Sequence, residues 1–344
     1  MLSRAGVGVV AITAGAACGD VSYIPWWDGN TASTPPPGLA SDAGPDAHAA
    51  ATDSGATRDA QPEAGAPSTS VFFVLMAYHP WSDVAGSGSA PYINGTLLAQ
   101  GAHAEAYYAA PPRITESEPN VVWLEAGDNL GITANGPPGQ NHRASTAHLV
   151  DQLEAAGVGW RAYLDHMTPG KCPIAEAYPY RTFHVPFLFF DDVVGDPPSA
   201  SAKRCLDHVV PLTQLASDLK SQSTPRYAFI VPDMCDDMHD DCNTGDPIRQ
   251  GDEWLHTYVP QILSSAAYGA GGVVFIAWDF SPTGYVPIGL IALSPKIRAG
   301  HASHAMFTTS STLRTIQELL GVGPPLGDAA NAQDLASLFT TFPP

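Results

Sequence analysis

The sequence predicts an α/β fold, a mainly parallel central sheet with helices on both faces, and three observations predict it. Beyond residue 70, short apolar runs rich in β-branched and aromatic residues recur, as buried parallel strands do. Segments of helical period alternate with them and stop at glycine. Glycine and proline number 32 each among 344 residues, enough to punctuate many short elements. Alternation argues for parallel pairing, because a crossover helix is what returns the chain to the same end of a sheet.

In chain order, strands are expected at 71–76 (VFFVLM), 121–124 (VVWL), 227–231 (YAFIV), 273–277 (VVFIA) and 288–293 (IGLIAL). Residues 145–156 place Leu149, Val150 and Leu153 on one helical face and stop at Gly157. Residues 311–320 do the same with Leu313, Ile316 and Leu320 ahead of Gly321 and Pro324. Residues 212–219 and 254–263 read as further helices. In such a fold the chemistry belongs on loops beyond the carboxyl ends of strands.

The chain divides into three parts. Residues 1–18 have one early cation, Arg4, then a small and apolar run ending at Cys18, too short to span a bilayer but suited to an export signal. Cys18 stands where a lipoprotein signal would place its lipidated residue; simple cleavage of the signal, or a start assigned too early, are the alternatives. Residues 19–70 are an acidic tether rich in Pro, Ala and Asp, with too little apolar surface to offset its ordering entropy, so disorder is expected there. Residues 71–344 form the folded domain. The location expected is the cell envelope or the exterior, with a lipidated N-terminus as the possible membrane attachment.

The chain has 15 basic and 34 acidic side chains, a net charge of −19. That excess repels phosphate backbones, so no nucleic-acid partner is expected. Apart from Cys18 there remain Cys172, Cys205, Cys235 and Cys242, an even number in a chain with an export signal. Three connectivities are open; the local pairs Cys172–Cys205 and Cys235–Cys242 are favoured over a zinc knot, for which the spacings are wrong.

Three polar loops adjoin expected strands. Residues 232–242, PDMCDDMHDDC, hold five aspartates and His239 between or beside two cysteines; carboxylate and imidazole are ligands for divalent cations. Asp279 follows an apolar strand, where an isolated carboxylate is costly without a cation or several donors. Ser117 and Asn120 lie in ITESEPN. A hydroxyl, carboxylates and an imidazole together suit metal-assisted ester hydrolysis. By composition alone Ser117 reads as a turn or cap serine, the aspartate loop as a solvated turn, and His184 and His208 as packed, hydrogen-bonded histidines.

The blocks SAPYINGTLLAQGAHAEAYYA, LVDQLEAAGVGWRAYL, HVVPLTQLASDL, YAFIVPDMCDDMHDDC, GDEWL, VVFIAWD and STLRTIQELLG resemble the bacterial phosphoesterase family, which includes acid phosphatases and phospholipase C relatives within the alkaline phosphatase superfamily. The resemblance runs from Val71 to the C-terminus. It implies an alkaline-phosphatase-like fold, a divalent metal site of unspecified identity, a small phosphate-ester substrate and a transiently phosphorylated nucleophile. Ser117, in the matching Ser-x-Pro-Asn block, is the implied nucleophile. Asp237, His239 and Asp279 are the implied metal ligands, and Asn120 and His184 (in FHVPF) the implied substrate contacts.

Departures from the family pattern are as informative. Ala77 and Tyr78 replace a Glu-Asn pair, Phe280 an acidic residue, Thr309 a histidine, and Thr115-Glu116 a His-Pro pair. Loss of several ligands weakens a cation site by orders of magnitude, unless His79, His301 or His304 supply substitutes. The leading expectation is an exported phosphoesterase-family hydrolase acting through a serine and a divalent metal. The alternatives are a catalytically impaired pseudoenzyme, its metal lost, kept as an envelope binding protein, and a purely structural surface lipoprotein.

Overall fold

The computed structural model describes residues 69–343, apart from 145, 146, 243 and 244. The expected signal, Cys18 and the tether up to residue 68 lie outside the described residues. Thr69 and Ser70, read above as the last residues of the tether, are buried, and their carbonyls accept from Arg226 Nε and Val273 N.

Ten strands are present among the described residues: β1 (Val71–Met76), β2 (Ala102–Ala104), β3 (Tyr107–Tyr108), β4 (Trp160–Leu164), β5 (Val209–Pro211), β6 (Tyr227–Val231), β7 (Val273–Trp278), β8 (Leu290–Leu293), β9 (Ala302–Ser303) and β10 (Phe307–Thr308). Eight form one sheet in the order β5-β4-β6-β1-β7-β8-β2-β9, and β3 pairs with β10 in a small parallel ribbon. The block from β5 to β7 is parallel throughout; β8 runs antiparallel to both β7 and β2, so the sheet is mixed at one side. The mainly parallel α/β architecture is the one expected.

Every residue of β1, β6 and β7 is buried, which requires cover on both faces and explains why they read as continuous apolar runs. The Ser117–Ala126 and Thr309–Leu320 helices pack on each other, as do the Thr213–Ser221 and Pro247–Leu263 helices. Phe73 stacks on Phe229 at 5.4 Å between centroids, and Phe187 meets Phe229 edge-on at 5.3 Å. Truncating such a fully buried phenylalanine to alanine costs about 3–5 kcal/mol.

Residues 121–124, expected as a strand, lie inside the Ser117–Ala126 helix. That helix is buried around nearly its whole circumference, so VVWL shows no amphipathic period, and a short apolar run does not distinguish helix from strand. The helix expected at 145–156 starts at Leu149, with Ser145 and Thr146 outside the described residues. The one expected at 254–263 starts earlier, at Pro247, where the Asp246 side chain caps by accepting from Arg249 N at 3.0 Å.

Within that helix the GDEWL block positions two loops. A Cβ on Gly251 would lie 2.3 Å from Met238 Cγ, so glycine is what lets the aspartate loop seat here. Asp252, buried, accepts from Tyr92 N at 2.9 Å and Ile93 N at 2.8 Å, pinning the turn that opens the next helical segment.

Both disulfides join the favoured pairs, Cys172–Cys205 and Cys235–Cys242. The second closes the aspartate loop.

Candidate active site

The site lies where β6, β1 and β7 end side by side. The chain leaves β1 through Ala77 and Tyr78, β6 through the aspartate loop, and β7 through Asp279 and Phe280. Backbone bonds bind these exits together: Ala77 N donates to the Asp237 carbonyl at 2.9 Å, and Asp279 N to that of Met76 at 3.0 Å. Tyr78 and Met238 adopt left-handed backbone, with φ of 68° and 81°. For bulky side chains this conformation costs on the order of 1–3 kcal/mol each and persists only where the surroundings dictate it.

Two further segments complete the site. Ser117 is the first residue of the Ser117–Ala126 helix, and His184 ends the short Thr182–His184 turn in the long connection between β4 and β5. His184 Nε2 lies 3.1 Å from Ser117 Oγ. Its other nitrogen, Nδ1, lies 3.1 Å from Asp237 Oδ2, an ion-pair contact, and Nε2 also stands 3.6 Å from Asp279 Oδ2. Ser117, His184, Asp237 and Asp279 are all buried, none more than 4% exposed.

Burial by itself would lower the His184 pKa, but Asp237 first and Asp279 next outweigh it, and the imidazole is held above its ordinary value. Burial raises that of Asp279, with His184, Ser117 and the Tyr78 amide pulling it back in part. Asp279 Oδ1 accepts from Phe280 N at 2.7 Å and Tyr78 N at 3.2 Å, and Asp237 Oδ1 from His239 N at 2.8 Å. The second oxygen of each carboxylate, Oδ2, is buried with no hydrogen-bond donor in proper geometry. His184 answers them at 3.1 and 3.6 Å, joined at Asp279 by the Ser117 hydroxyl.

Not every expected residue converges. His239 turns its ring to Asp240, 2.7 Å away, and packs on Tyr78 at 4.2 Å between centroids. Asn120 stays in the first helical turn, donating to the Glu116 carbonyl at 2.7 Å and that of Ile114 at 3.2 Å, while its Oδ1 is unpaired. With Asp279 and Thr309 it lines an internal cavity with room for about one water molecule. Thr309 Oγ1 accepts from Ala110 N.

The proposed substitute ligands are engaged elsewhere: His79 Nε2 with the Met238 carbonyl at 2.9 Å, and His304 with Glu105 at 2.9 Å. Among the described residues, no hydrogen bond or ion pair joins His79, His301 or His304 to Ser117, Asp237 or Asp279.

Whether these residues fit one divalent cation is decided by the imidazole. The two unsatisfied carboxylate oxygens are what a cation would seek, but His184 faces one with each ring nitrogen. An ion shared by both carboxylates needs the place that the ring holds. Ala77 and Phe280 contribute only a methyl group and a ring, and Tyr78 meets Phe280 edge-on at 5.6 Å. As arranged, the donor set does not fit a shared cation. Acid–histidine groups with ligand atoms within 4.8 Å of one another occur at His148, Asp151 and Asp192 and at Asp165, His166 and Asp233. The second lies one strand over, at the ends of β4 and β6, with His166 Nδ1 2.5 Å from Asp233 Oδ2. Sequence reasoning passed over it because its members come from two loops.

Comparison with known proteins adds ancestry. The model of the Phosphoesterase family matches residues 88–323. The chain is 26% identical over 273 residues to the phosphatidylinositol-3-phosphatase of Mycobacterium tuberculosis, covering 78% of this chain and 82% of that protein. It is 24% identical over 227 residues to a probable acid phosphatase of Kluyveromyces lactis, covering 64% of this chain and about half, 49%, of the yeast protein. Among solved structures, human ectonucleotide pyrophosphatase/phosphodiesterase 5 aligns with a TM-score of 0.50 at 13% identity, over 79% of this chain and 100% of that one. The lipoteichoic acid synthase LtaP of Listeria monocytogenes aligns at 0.50 and 12%, over 77% and 76%. At such identities the structures speak for the fold alone.

Proposed function

Because the chain belongs to the Phosphoesterase family, we propose that it is an exported hydrolase of phosphate monoesters in which Ser117 is the nucleophile. The observation that carries this reading is the 3.1 Å contact between Ser117 Oγ and the buried imidazole of His184. A serine hydroxyl is a poor nucleophile until a neighbouring group takes its proton. Ser117 also opens a ten-residue helix, whose N-terminal end favours negative charge at the position a phosphoryl group would occupy.

Arg113, four residues before Ser117, is exposed, has no ion pair among the described residues, and lines a recess with Thr115, Phe280, Ser281 and Tyr285. It supports an anionic substrate entering from this side, past Phe280. Similarity to a phosphatidylinositol-3-phosphatase favours sugar or lipid phosphates over nucleotides.

Release of phosphate from p-nitrophenyl phosphate and from a panel of sugar and lipid phosphomonoesters tests the reading. Turnover is expected with at least one of them, and Ser117→Ala should reduce it by a factor of ~10³ or more. Absence of turnover with every substrate, with or without added divalent metals, sinks it. That outcome favours the second reading, a binding protein that has closed its site, for which the burial of Ser117 and the edge-on contact of Tyr78 with Phe280 are the supporting observations.

A further inference from the structure

We propose that Ser117, His184 and Asp237 form a metal-free proton relay, in which a histidine–carboxylate pair takes over the activation of the serine from a divalent cation. The inference rests on the reading of Ser117 as the nucleophile and adds how it is activated.

Three features of the site carry it. The contacts run in series: Ser117 Oγ to His184 Nε2 at 3.1 Å, and His184 Nδ1 to Asp237 Oδ2 at 3.1 Å, the order in which a base receives a proton and a carboxylate orients the base. The ring is held: Phe183 meets it edge-on at 4.8 Å between centroids. Asp237 is also held, by its own amide donating to the Asp233 carbonyl at 2.8 Å and by His239 N on its Oδ1. Finally, the place between the carboxylates is already filled by the imidazole, and both unsatisfied carboxylate oxygens face it.

The steps balance without an ion. Neutral His184 accepts the Ser117 hydroxyl proton at Nε2 as Oγ bonds to phosphorus and the bond from phosphorus to the leaving oxygen breaks. The imidazolium, between Asp237 and Asp279, then returns that proton to the leaving oxygen. Water next attacks the phosphoserine, giving its proton to Nε2; the Oγ–phosphorus bond breaks and Oγ recovers the proton. Asp237 acts through His184 and is a positioning residue. Asp279 faces Nε2 from the side and stabilises the cation form.

The full chain, dialysed against chelator and checked for metal by mass spectrometry, is treated with a fluorophosphonate, which forms a phosphorus–oxygen bond to an activated serine and expels fluoride. Labelling of Ser117 is expected in the metal-free protein, together with phosphate-ester turnover unchanged by chelation. His184→Gln should slow labelling about 100-fold or more. Asp237→Asn should slow it less and abolish the low-field proton resonance of a ring N–H shared with a carboxylate, a signal that loss of packing alone does not remove in a folded protein.

The proposal is overturned if chelation of the wild-type chain abolishes labelling or turnover and a divalent ion restores it, an outcome that needs no variant to fold. It is likewise overturned if metal-free protein never labels at Ser117, or if His184→Gln labels at the wild-type rate. His184-dependent labelling without turnover of any phosphate ester leaves the relay standing and removes only the phosphatase reading.

Discussion

Two buried histidines sit among carboxylates at opposite ends of one helix, and they differ in what is left unanswered. At the C-terminal end of Ser117–Ala126, His148 Nδ1 lies 3.2 Å from Glu125 Oε1, and its Nε2 lies 3.1 Å from Asp192 Oδ2. Arg204 completes that cluster, donating to Asp151 at 2.6 Å, to Glu154 at 3.0 Å and to Asp192. Among the described residues no polar atom of this group is buried without a partner. Burial works against the His148 cation, but Asp192 and Glu125 push its pKa up to about 9, so it stays charged. At the N-terminal end, His184 faces two carboxylates with no arginine between them, and one oxygen of each has no well-aligned donor. A network whose donors match its acceptors is complete as structure; surplus buried acceptors beside a hydroxyl mark a place where protons or ligands move.

The comparison breaks most visibly at Arg204. Although three acid–histidine side chains there stand close enough for a metal, the guanidinium already supplies the cation. Arg204→Met removes three partly exposed ion pairs, to Asp151, Glu154 and Asp192, and leaves His148 as the remaining cation for the two aspartates; at up to about 1 kcal/mol for each pair it should cost about 3 kcal/mol in denaturant unfolding. Turnover per folded molecule should be unchanged. A variant that keeps its stability but loses turnover means that the two ends of the helix are coupled, and the division into structural and functional halves fails.

A smaller effect is expected at the disulfide that closes the aspartate loop. Replacing both Cys235 and Cys242 by alanine releases a short loop, worth about 2.5 kcal/mol by chain entropy. Because Asp237 lies within that loop, turnover should fall as well, unlike at Arg204. Stability loss with full turnover shows that Met238, packed on Gly251, holds Asp237 without the bridge.

Much of this was legible in sequence, for identifiable reasons. β1, β6 and β7 were readable because strands buried on both faces become apolar runs, and that fixed where Ala77, Asp233 and Asp279 emerge. Cys235 and Cys242, close in sequence, could be paired. The Ser117–Ala126 helix was not readable: buried nearly all round, it has no polar face to set a period. The role of His184 was hidden for a different reason. FHVPF records a histidine among apolar residues but not that the turn aims its two nitrogens at a serine 67 residues upstream and an aspartate on β6's exit loop. The carboxylates and imidazole between two cysteines, with the family resemblance, also read as a ligand cluster, whereas the side chains diverge, Asp237 toward His184 and His239 toward Asp240.

The smallest predicted effect separates the two ends of the helix by pH. Glu118 and Glu125 lie roughly 10 Å apart along it. Glu125 is partnered by His148, whereas Glu118 accepts from Gly136 N and Asn141 Nδ2, both at 2.7 Å, and among the described residues feels the Arg143 charge without an ion-pair contact. Burial pushes Glu118 up to about 7, from an ordinary 4.5. A raised carboxyl pKa means that the folded chain binds this proton more tightly than the unfolded one. Its stabilising contribution is therefore complete below about 4.5, declines as pH rises, and is gone above about 7. Glu118→Gln stays neutral and removes that slope. Between pH 5 and 8 the wild-type thermal midpoint should fall more than that of the variant, by roughly 2–4 °C. Parallel curves mean that Glu118 titrates at its ordinary value and that the first helical turn is wetter than its packing indicates. If the slope is found, Glu118 is uncharged in mild acid, and one of the carboxylates near the Ser117 hydroxyl no longer repels an anionic phosphate.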